Sequence, residues 1–588
     1  MTYSEHFINN FYLSFITSLS FIIYFFVKSA LIDQFIKINK IDIFGEFSKI
    51  IIFFLQLSFY TAVFNILLIF NSLYLIKYLL LISFLLTLYF FYYVYKKKEI
   101  INMGLKLKNF KKKHIIFLLI LPLLFLISIL PLSDADSIAY HLNFPFRLLA
   151  ESHLFSDIQK NIEFSMIANN EILLSISVLL KSDNFGSILN FFVLIVFMYT
   201  QKDSRHFKSI ILSCPLLIFL ISTQKLQMTF SILFLILFIN IYEKKLKNNL
   251  EIFIVCMLLV FYASIKTSYI LISLPLFIYF LYNYNFKAIK IIIFSSIGVL
   301  LFFVPLFFIK YNAYGNIFSP FFDNYLGSNK ESLKALQYSL RTTEGWLTNY
   351  ADYKTFLKIF VPTNLSQLSA TFGLLFLILF FNYNLLKKLH FFPLIIFFMI
   401  LITGQISPRY YLEAFLILAY YLPRMNFPTK VIVYAQLTIV FIFSAAFVYT
   451  AYDGFLKKNF KNKYQNKFAF SYYNAEQIKK IDFKKKNVLT FADGRQSIFY
   501  EENFYSQRYL SVLSSYNKNS KFENLLPKYI NNNNIEYIIH TNLKNANCFD
   551  NKKNGYLNQK IAVRNFLIKN NFIKYNIYKI ENIENCKN

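Results

Sequence analysis

Long apolar runs alternate with short polar or basic segments along this chain, and the alternation predicts helices that cross a bilayer. Phe11 to Val27, Ile50 to Phe70, Leu73 to Tyr95 and Ile115 to Leu130 come first. Phe185 to Tyr199, Ser209 to Ser222 and Met228 to Tyr242 follow. Leu250 to Tyr282 is too long for one crossing and both its flanks are basic, so it reads as two spans turning near Lys266. Ile291 to Ile309, Leu368 to Phe381, Phe391 to Ile402, Tyr410 to Leu422 and Lys430 to Tyr449 complete the set. The predicted fold class is an all-α polytopic membrane protein of about 14 transmembrane helices with a small C-terminal α/β extracytoplasmic domain.

Basic clusters fall between the runs, as in Lys96-Lys97-Lys98, Lys111-Lys112-Lys113, Lys244-Lys245 and Lys387-Lys388. The positive-inside rule places them in the cytoplasm and both chain ends outside. Two long outer loops then remain, 133–183 and 310–367. Scattered apolar residues in the first predict short amphipathic helices lying on the outer leaflet. The second contains the only tryptophan, Trp346. Short outer turns carry Gln224, Lys225 and Gln227, and Ile406-Ser407-Pro408-Arg409.

Residues 453–588 have no spanning run. Asn487 to Tyr500 reads as strand and turn, Leu525 to Ile539 as a helix feeding a strand, Ile561 to Lys569 as a helix and Phe572 to Ile580 as a strand. The organisation is thus a three-span extension with a basic linker (1–114), a transmembrane core (115–452) and a C-terminal domain (453–588).

Composition supports this division. Of 588 residues 56% are hydrophobic, above the usual share for soluble domains. The net charge of +30 would suggest nucleic acid in a soluble protein. Here the basic groups sit between spans, where topology and anionic lipid headgroups account for them, so membrane lipids and not nucleic acid are the expected partners. Cys214 and Cys256 lie in apolar runs, whereas Cys548 and Cys586 could pair or stay free in the polar tail. No Cys/His cluster has zinc-ligand spacing. Met1-Thr-Tyr-Ser-Glu-His lacks the basic start of a cleavable signal peptide.

Candidate chemistry concentrates where the fourth run ends, in Pro131-Leu-Ser-Asp134-Ala-Asp136-Ser-Ile-Ala-Tyr140-His141-Leu-Asn-Phe-Pro145. A charge at the bilayer centre costs roughly 2.5–3.5 kcal/mol, so Asp134 and Asp136 belong at the water interface. The predicted topology puts Tyr140, His141, Lys225, Lys266 and Arg409 on the same rim. A carboxylate there can act as general base, and Lys or Arg can hold a departing phosphate. With 8 Arg against 53 Lys, an Arg at a membrane-edge turn suits bidentate phosphate binding. The plainer alternatives are a solvated loop that stops a helix, and Lys225 and Arg409 snorkelling at helix ends. His141 alone reads as a hydrogen-bonding partner rather than a metal ligand.

An apolar helix followed by Asp-x-Asp-Ser-x-x-Tyr-His-Leu-x-x-Pro in the first outer loop resembles the GT-C fold membrane glycosyltransferases, in their ArnT-like, glycosyltransferase family 39-like branch. Asp136 matches that motif's acid, and Asp134 is the second of the pair. Lys266, in Ala263-Ser-Ile-Lys-Thr-Ser-Tyr269, resembles the family's hairpin lysine. Gly315-Asn316-x-x-x-Pro320 resembles its Gly-Asn-Pro-x-Tyr-Pro loop, but with Ile317 and Ser319 in place of the first proline and the aromatic. Ser407-Pro-Arg-Tyr410 resembles a late Arg-Tyr turn, and Leu525 to Thr541 the C-terminal domain. The likeness spans about residues 115–545, leaving out the first three runs.

The resemblance implies inverting transfer of a sugar from a polyprenyl-phosphate donor to a lipid, glycan or protein acceptor, on the periplasmic face of a bacterial cytoplasmic membrane. Asp136 would be the base, assisted by Asp134, with the phosphate near Lys266 and Arg409 and substrate contacts from Tyr140, His141 and Lys225. No cofactor is required; some members use a divalent metal, and two Asp are too few ligands to demand one. Two readings compete. A secondary transporter would place its function at midplane charges in broken, repeated helices. An O-antigen polymerase or ligase would place it in the later outer loop, 310–367.

Overall fold

The computed structural model describes the chain except for residues 1–5, 40–42, 71, 98–114, 135, 152–161, 201–204, 403–406, 480, 482, 484–485, 492–503, 507–508, 512, 514–521, 541–550, 561–571 and 581–588; within 320–368 it describes only 322, 334, 336, 357 and 359–361. Trp346, Cys548, Cys586, Pro320, Ile406 and the helix expected over 561–569 lie outside the described residues.

Among the described residues, five helical segments are long and apolar enough to cross a membrane: Phe11–Ile38, Gly45–Ile69, Leu73–Lys96, Asn285–Tyr314 and Phe427–Ala451. Shorter apolar helices of 10–17 residues include Phe185–Thr200, Gln227–Tyr242, Asn249–Ile265 and Thr267–Asn283. This is a helical, apolar architecture of the kind that membranes hold, with a small sheet at its C-terminal end. Gln227–Tyr242 is its axis, since every residue from Gln227 to Ile241 is buried. A helix that is apolar on all sides has neighbours on all sides, and this one packs on Phe185–Thr200, Leu412–Tyr421 and Asn249–Ile265.

Several elements depart from the sequence expectation for local reasons. The first helix runs on to Ile38, so Lys28 is not a flanking lysine but lies inside the helix, where its ammonium donates to Ser83 Oγ at 2.7 Å. The run Ser209 to Ser222 is not one helix but two, Arg205–Leu212 and Leu216–Ile221. Pro215 has no N–H to continue the ladder. The backbone groups freed by the break find distant partners: Gln436 Nε2 donates to Ser213 O at 3.2 Å, and Leu216 N to Thr371 O at 3.0 Å. The fold-back at Lys266 is as the run length predicts: Lys266 takes an extended conformation (φ −154°, ψ 142°) that ends Asn249–Ile265 and starts Thr267–Asn283.

The first long loop is not a set of helices lying on a surface. Its short helices Asn169–Leu173 and Ser175–Leu179 are packed inside, and Ser177, Ser182, Asp183 and Asn184 are all buried. Asp183 forms an ion pair at 3.0 Å with Lys461, both about 1% exposed, and Lys461 also donates to Ile8 O at 2.8 Å. One buried lysine thereby ties the N-terminus, this loop and the chain after the last long helix together.

Beyond that helix, Phe460–Phe468 and Phe470–Lys479 lead into a five-stranded sheet with the order β2-β1-β3-β5-β4. Here β1 is Val488–Thr490, β2 Phe504–Ser506, β3 Tyr537–His540, β4 Asn551–Lys560 and β5 Phe572–Ile580. β1 is parallel to β2 and β3, whereas β5 is antiparallel to β3 and β4. The helix Phe522–Asn532 precedes β3 as the sequence suggests; β2 and β4 are additions to that reading. Ile539 and Ile577 of the sheet share one apolar cluster with Leu132, Ile138, Leu142 and Phe146, a cluster that also takes in Tyr472, Ala475 and Ile478 of Phe470–Lys479.

Candidate functional site

The acidic loop folds as a capped turn. Asp134 accepts from Ser137 N at 3.0 Å and Ser137 Oγ at 2.8 Å, which satisfies the open start of a wide π-helical segment, Ser137–Leu142. Asp136 sits at the N-cap position of that segment without using its side chain as the cap. Its carboxylate is therefore left to point at other groups.

Those groups arrive from far along the chain. Lys225 Nζ lies 2.8 Å from Asp136 Oδ2 and 3.2 Å from Asp134 Oδ2, and its side chain is buried. Arg409 Nη1 stands 3.7 Å from the same Asp136 oxygen. The turn that carries Lys225 is fixed on both sides. Asn190 Nδ2 donates to Leu220 O and to Lys225 O, at 3.0 and 2.6 Å, and Asn190 Oδ1 accepts from Thr229 N and Oγ1. Next to it, Gln224 N donates to Ser137 Oγ at 2.9 Å, while Gln224 Oε1 accepts from Gly186 N and its Nε2 donates to Ser177 Oγ. Lysine and carboxylates are thus positioned by short polar side chains.

The third cation joins through an aromatic. Lys266 Nζ donates to Tyr410 OH at 3.1 Å and lies over the Tyr410 ring, and Arg409 packs against the same ring from 5.3 Å. The Arg409 backbone carbonyl is held by Gln227 Nε2 at 2.5 Å. Arg409 Nε is buried and has no hydrogen-bond partner among the described residues. A buried guanidinium donor without an acceptor is costly.

Electrostatics follow from this packing. Burial alone would raise the Asp136 carboxyl, but the Lys225 charge and hydrogen bond, then Arg409 and His141, hold it well below the ordinary carboxylate range. Burial also opposes the Arg409 charge, and its surroundings outweigh that: the oxygens of Tyr410 and Tyr140 and the Asp136 carboxylate raise its proton affinity above the ordinary arginine value, Asp136 being the charged one at neutral pH.

Tyr140 packs against His141 with 4.1 Å between ring centroids, and His141 is turned into the protein. Its Nδ1 bonds Glu171 Oε1 at 2.8 Å, with both side chains buried. Burial lowers the imidazole's proton affinity more than Glu171 restores it. Glu171, which burial alone would push up, is held ionised by bonds from His141, Asn170 Nδ2 and Ala168 N. This makes His141 a structural partner to a buried carboxylate rather than a contact group at the rim.

Tyr410 stands in the Arg-Tyr turn, whereas Glu171, Lys310 and Glu413 are not among the candidates named from the sequence. Lys310, buried, donates to Ser319 O at 2.7 Å and shares the wall of a small cavity, ≈ 20 Å³, with Lys266. Its place inside an apolar helix, at the end of Ile291 to Ile309, was a usable signal. Glu413 accepts from Ser231 Oγ and Tyr262 OH in the helical core; an acid inside an apolar run was the signal there. Gly315, in the loop likened to a family motif, ends a long helix at φ +76°, a conformation that favours glycine. Both carboxylates converge on the Lys225 ammonium, and among the described residues no group of three His, Cys, Asp or Glu is placed to hold a metal ion.

No protein-family model matches this chain, and no curated protein or solved structure matches it either.

Proposed function

We propose that this protein is a membrane glycosyltransferase that moves a sugar from a polyprenyl-phosphate donor to an extracytoplasmic lipid, glycan or protein acceptor. The observation that carries the reading is the convergence on one Asp136 oxygen of Lys225 at 2.8 Å and Arg409 at 3.7 Å, with Lys266 linked through Tyr410. A base and a set of cations meet at the end of an apolar helix, which suits a lipid-borne phosphate.

In the proposed reaction an acceptor hydroxyl or amine attacks C1 of the sugar as its proton passes to Asp136, and the C1–O bond to phosphate breaks. The configuration at C1 inverts. Arg409 and Lys266 take the charge of the departing lipid phosphate, with Arg409 Nε as one open donor. Donor phosphate and Asp136 compete for Lys225 and Arg409. Donor binding therefore weakens the hold on Asp136 and makes it a better base. Asp134 keeps the loop capped and orients Lys225. In this reading about 14 helices cross a bacterial cytoplasmic membrane, both chain ends and the cluster face the periplasm, and the C-terminal sheet covers the acidic loop.

Membranes supplied with radiolabelled undecaprenyl-phosphate sugars test the proposal. Label should move to an acceptor in the wild type and stay on the donor in Asp136→Asn at equal protein level. Reporter fusions that put residues 136 and 409 on opposite faces of the bilayer would end the case. A secondary transporter remains the second reading because of Glu413, a core carboxylate beside the broken helix at Lys266. Label-free uptake into proteoliposomes that requires Glu413 would favour it.

A further inference from the structure

A cavity of ≈ 380 Å³ lies among the three N-terminal helices, outside the acid–cation cluster. Its walls come from Phe11–Ile38, Ser48–Ile69 and Ile76–Lys96 and from Ile43 and Phe44 in the turn between the first two, with Ile254 as the one contribution from Asn249–Ile265. Ile254 is 12 residues before Lys266, about 18 Å along the helix axis, so the two places are separate. The lining is apolar apart from Lys28, Gln56, Ser83 and the Tyr60 phenol.

Two polar groups in that wall are left wanting. Lys28 is 7% exposed, and among the described residues its ammonium bonds only Ser83 Oγ, with no carboxylate offsetting its charge. An ammonium carries three donors. Gln56 is 8% exposed; its Nε2 donates to Phe25 O and Ser29 Oγ, while its Oε1 is buried with no hydrogen-bond partner among the described residues. A cation without a counter-ion inside an apolar helix bundle points to a ligand or a pathway. Half-exposed Phe59, Ile82 and Leu86 form the mouth, which opens sideways between the second and third helices, through apolar rather than polar surface.

We propose that this cavity binds one anionic amphiphile, its hydrocarbon chain between the helices and its acidic head accepting from Lys28. A carboxylate and a phosphate monoester share this acceptor chemistry, and the phosphate monoanion also keeps a P–OH that can donate to Gln56 Oε1. The apolar lining takes the chain, and the lateral mouth admits it from the bilayer without passage through water. This inference stands independently of the transferase reading.

The test places the full-length protein in phosphatidylcholine nanodiscs with one of three photoreactive diazirine lipids: palmitic acid, phosphatidic acid or diacylglycerol. Crosslinks are mapped by peptide mass spectrometry. One of the acids should label Phe59, Ile82 or Leu86 at least about tenfold more than diacylglycerol does; palmitic acid would identify a carboxylate ligand and phosphatidic acid a phosphate ligand. Lys28→Met should lose that excess. Leu86→Trp, which fills the cavity but keeps the Lys28–Ser83 bond, should lose it too and guards against misfolding of the first variant. Equal labelling by diacylglycerol, or an excess that survives Leu86→Trp, overturns the proposal.

Discussion

Lys225 Nζ stands 2.8 Å from Asp136 Oδ2, although 89 positions separate the two residues in the chain. The pair neutralises a carboxylate that the proposed reaction uses as its base. In that reaction a substrate anion would compete with Asp136 for its cations, which makes the proposed chemistry conditional on the donor.

Replacing Asp136 by Asn removes the proton acceptor while keeping shape and the Lys225 hydrogen bond. Transfer should fall by about 10²–10⁴-fold, the usual worth of a general base. Membrane insertion and protein level should be unchanged, because the carboxylate is 44% exposed and caps no helix. Initial rates in isolated membranes check this; near-native rates would take Asp136 out of the mechanism.

Asp136 is held below the ordinary carboxylate range by Lys225. A carboxyl depressed in the folded state stabilises the fold above its unfolded value of about 4, and that stabilisation is lost as pH falls through the lower folded value. Activity that depends on ionised Asp136 should therefore persist to lower pH than a free carboxylate allows. In Lys225→Met the acid limb of the rate profile should move upward, by about one unit or more. An unshifted limb would show that Lys225 does not set the ionisation of Asp136.

Arg409→Ala should raise the KM for the donor and leave the KM for the acceptor nearly unchanged. Arg409→Lys should not restore donor binding, because an ammonium offers neither the planar fork nor the Nε donor that is left open in the structure. Equal weakening of both substrates would count against a phosphate role.

The buried ion pair of Asp183 with Lys461 is the clearest stability test. Removing one partner of such a pair strands a charge, at a cost of about 3–5 kcal/mol. Lys461→Met should lower the midpoint of thermal unfolding in detergent, and Asp183→Asn with Lys461→Met should recover much of the loss. A double variant as unstable as the single one would mean that packing, not charge, holds this joint.

Gly373 has φ +78°, and an added Cβ would stand 2.3 Å from Gln436 Nε2. Gln436 cannot retreat cheaply: it bonds Ser213 O, Phe372 O and Leu375 N. Gly373→Ala should therefore destabilise the protein by about 2 kcal/mol or more, from backbone strain and the lost bonds together. Unfolding of the purified variant by heat provides the measure.

Much of the architecture is set by the chain itself. Apolar runs dictated helices, the length of Leu250 to Tyr282 demanded a break, and Lys266 stands at it. Paired acids after a greasy helix required a polar loop, and the patterns at 525–539 and 572–580 gave a helix and two strands of the small sheet. These are local consequences of burial and backbone geometry, readable one segment at a time. Which helices touch is another matter. Helices that are apolar on every side carry no stripe to announce their neighbours. So packing alone decided that Lys28 is enclosed, that Lys225 meets Asp136, that His141 turns to Glu171, and that Lys461 reaches back to Asp183. Polar side chains in such a core must find partners wherever the packed helices bring them. The sequence supplied the charges, and the tertiary structure chose the pairs.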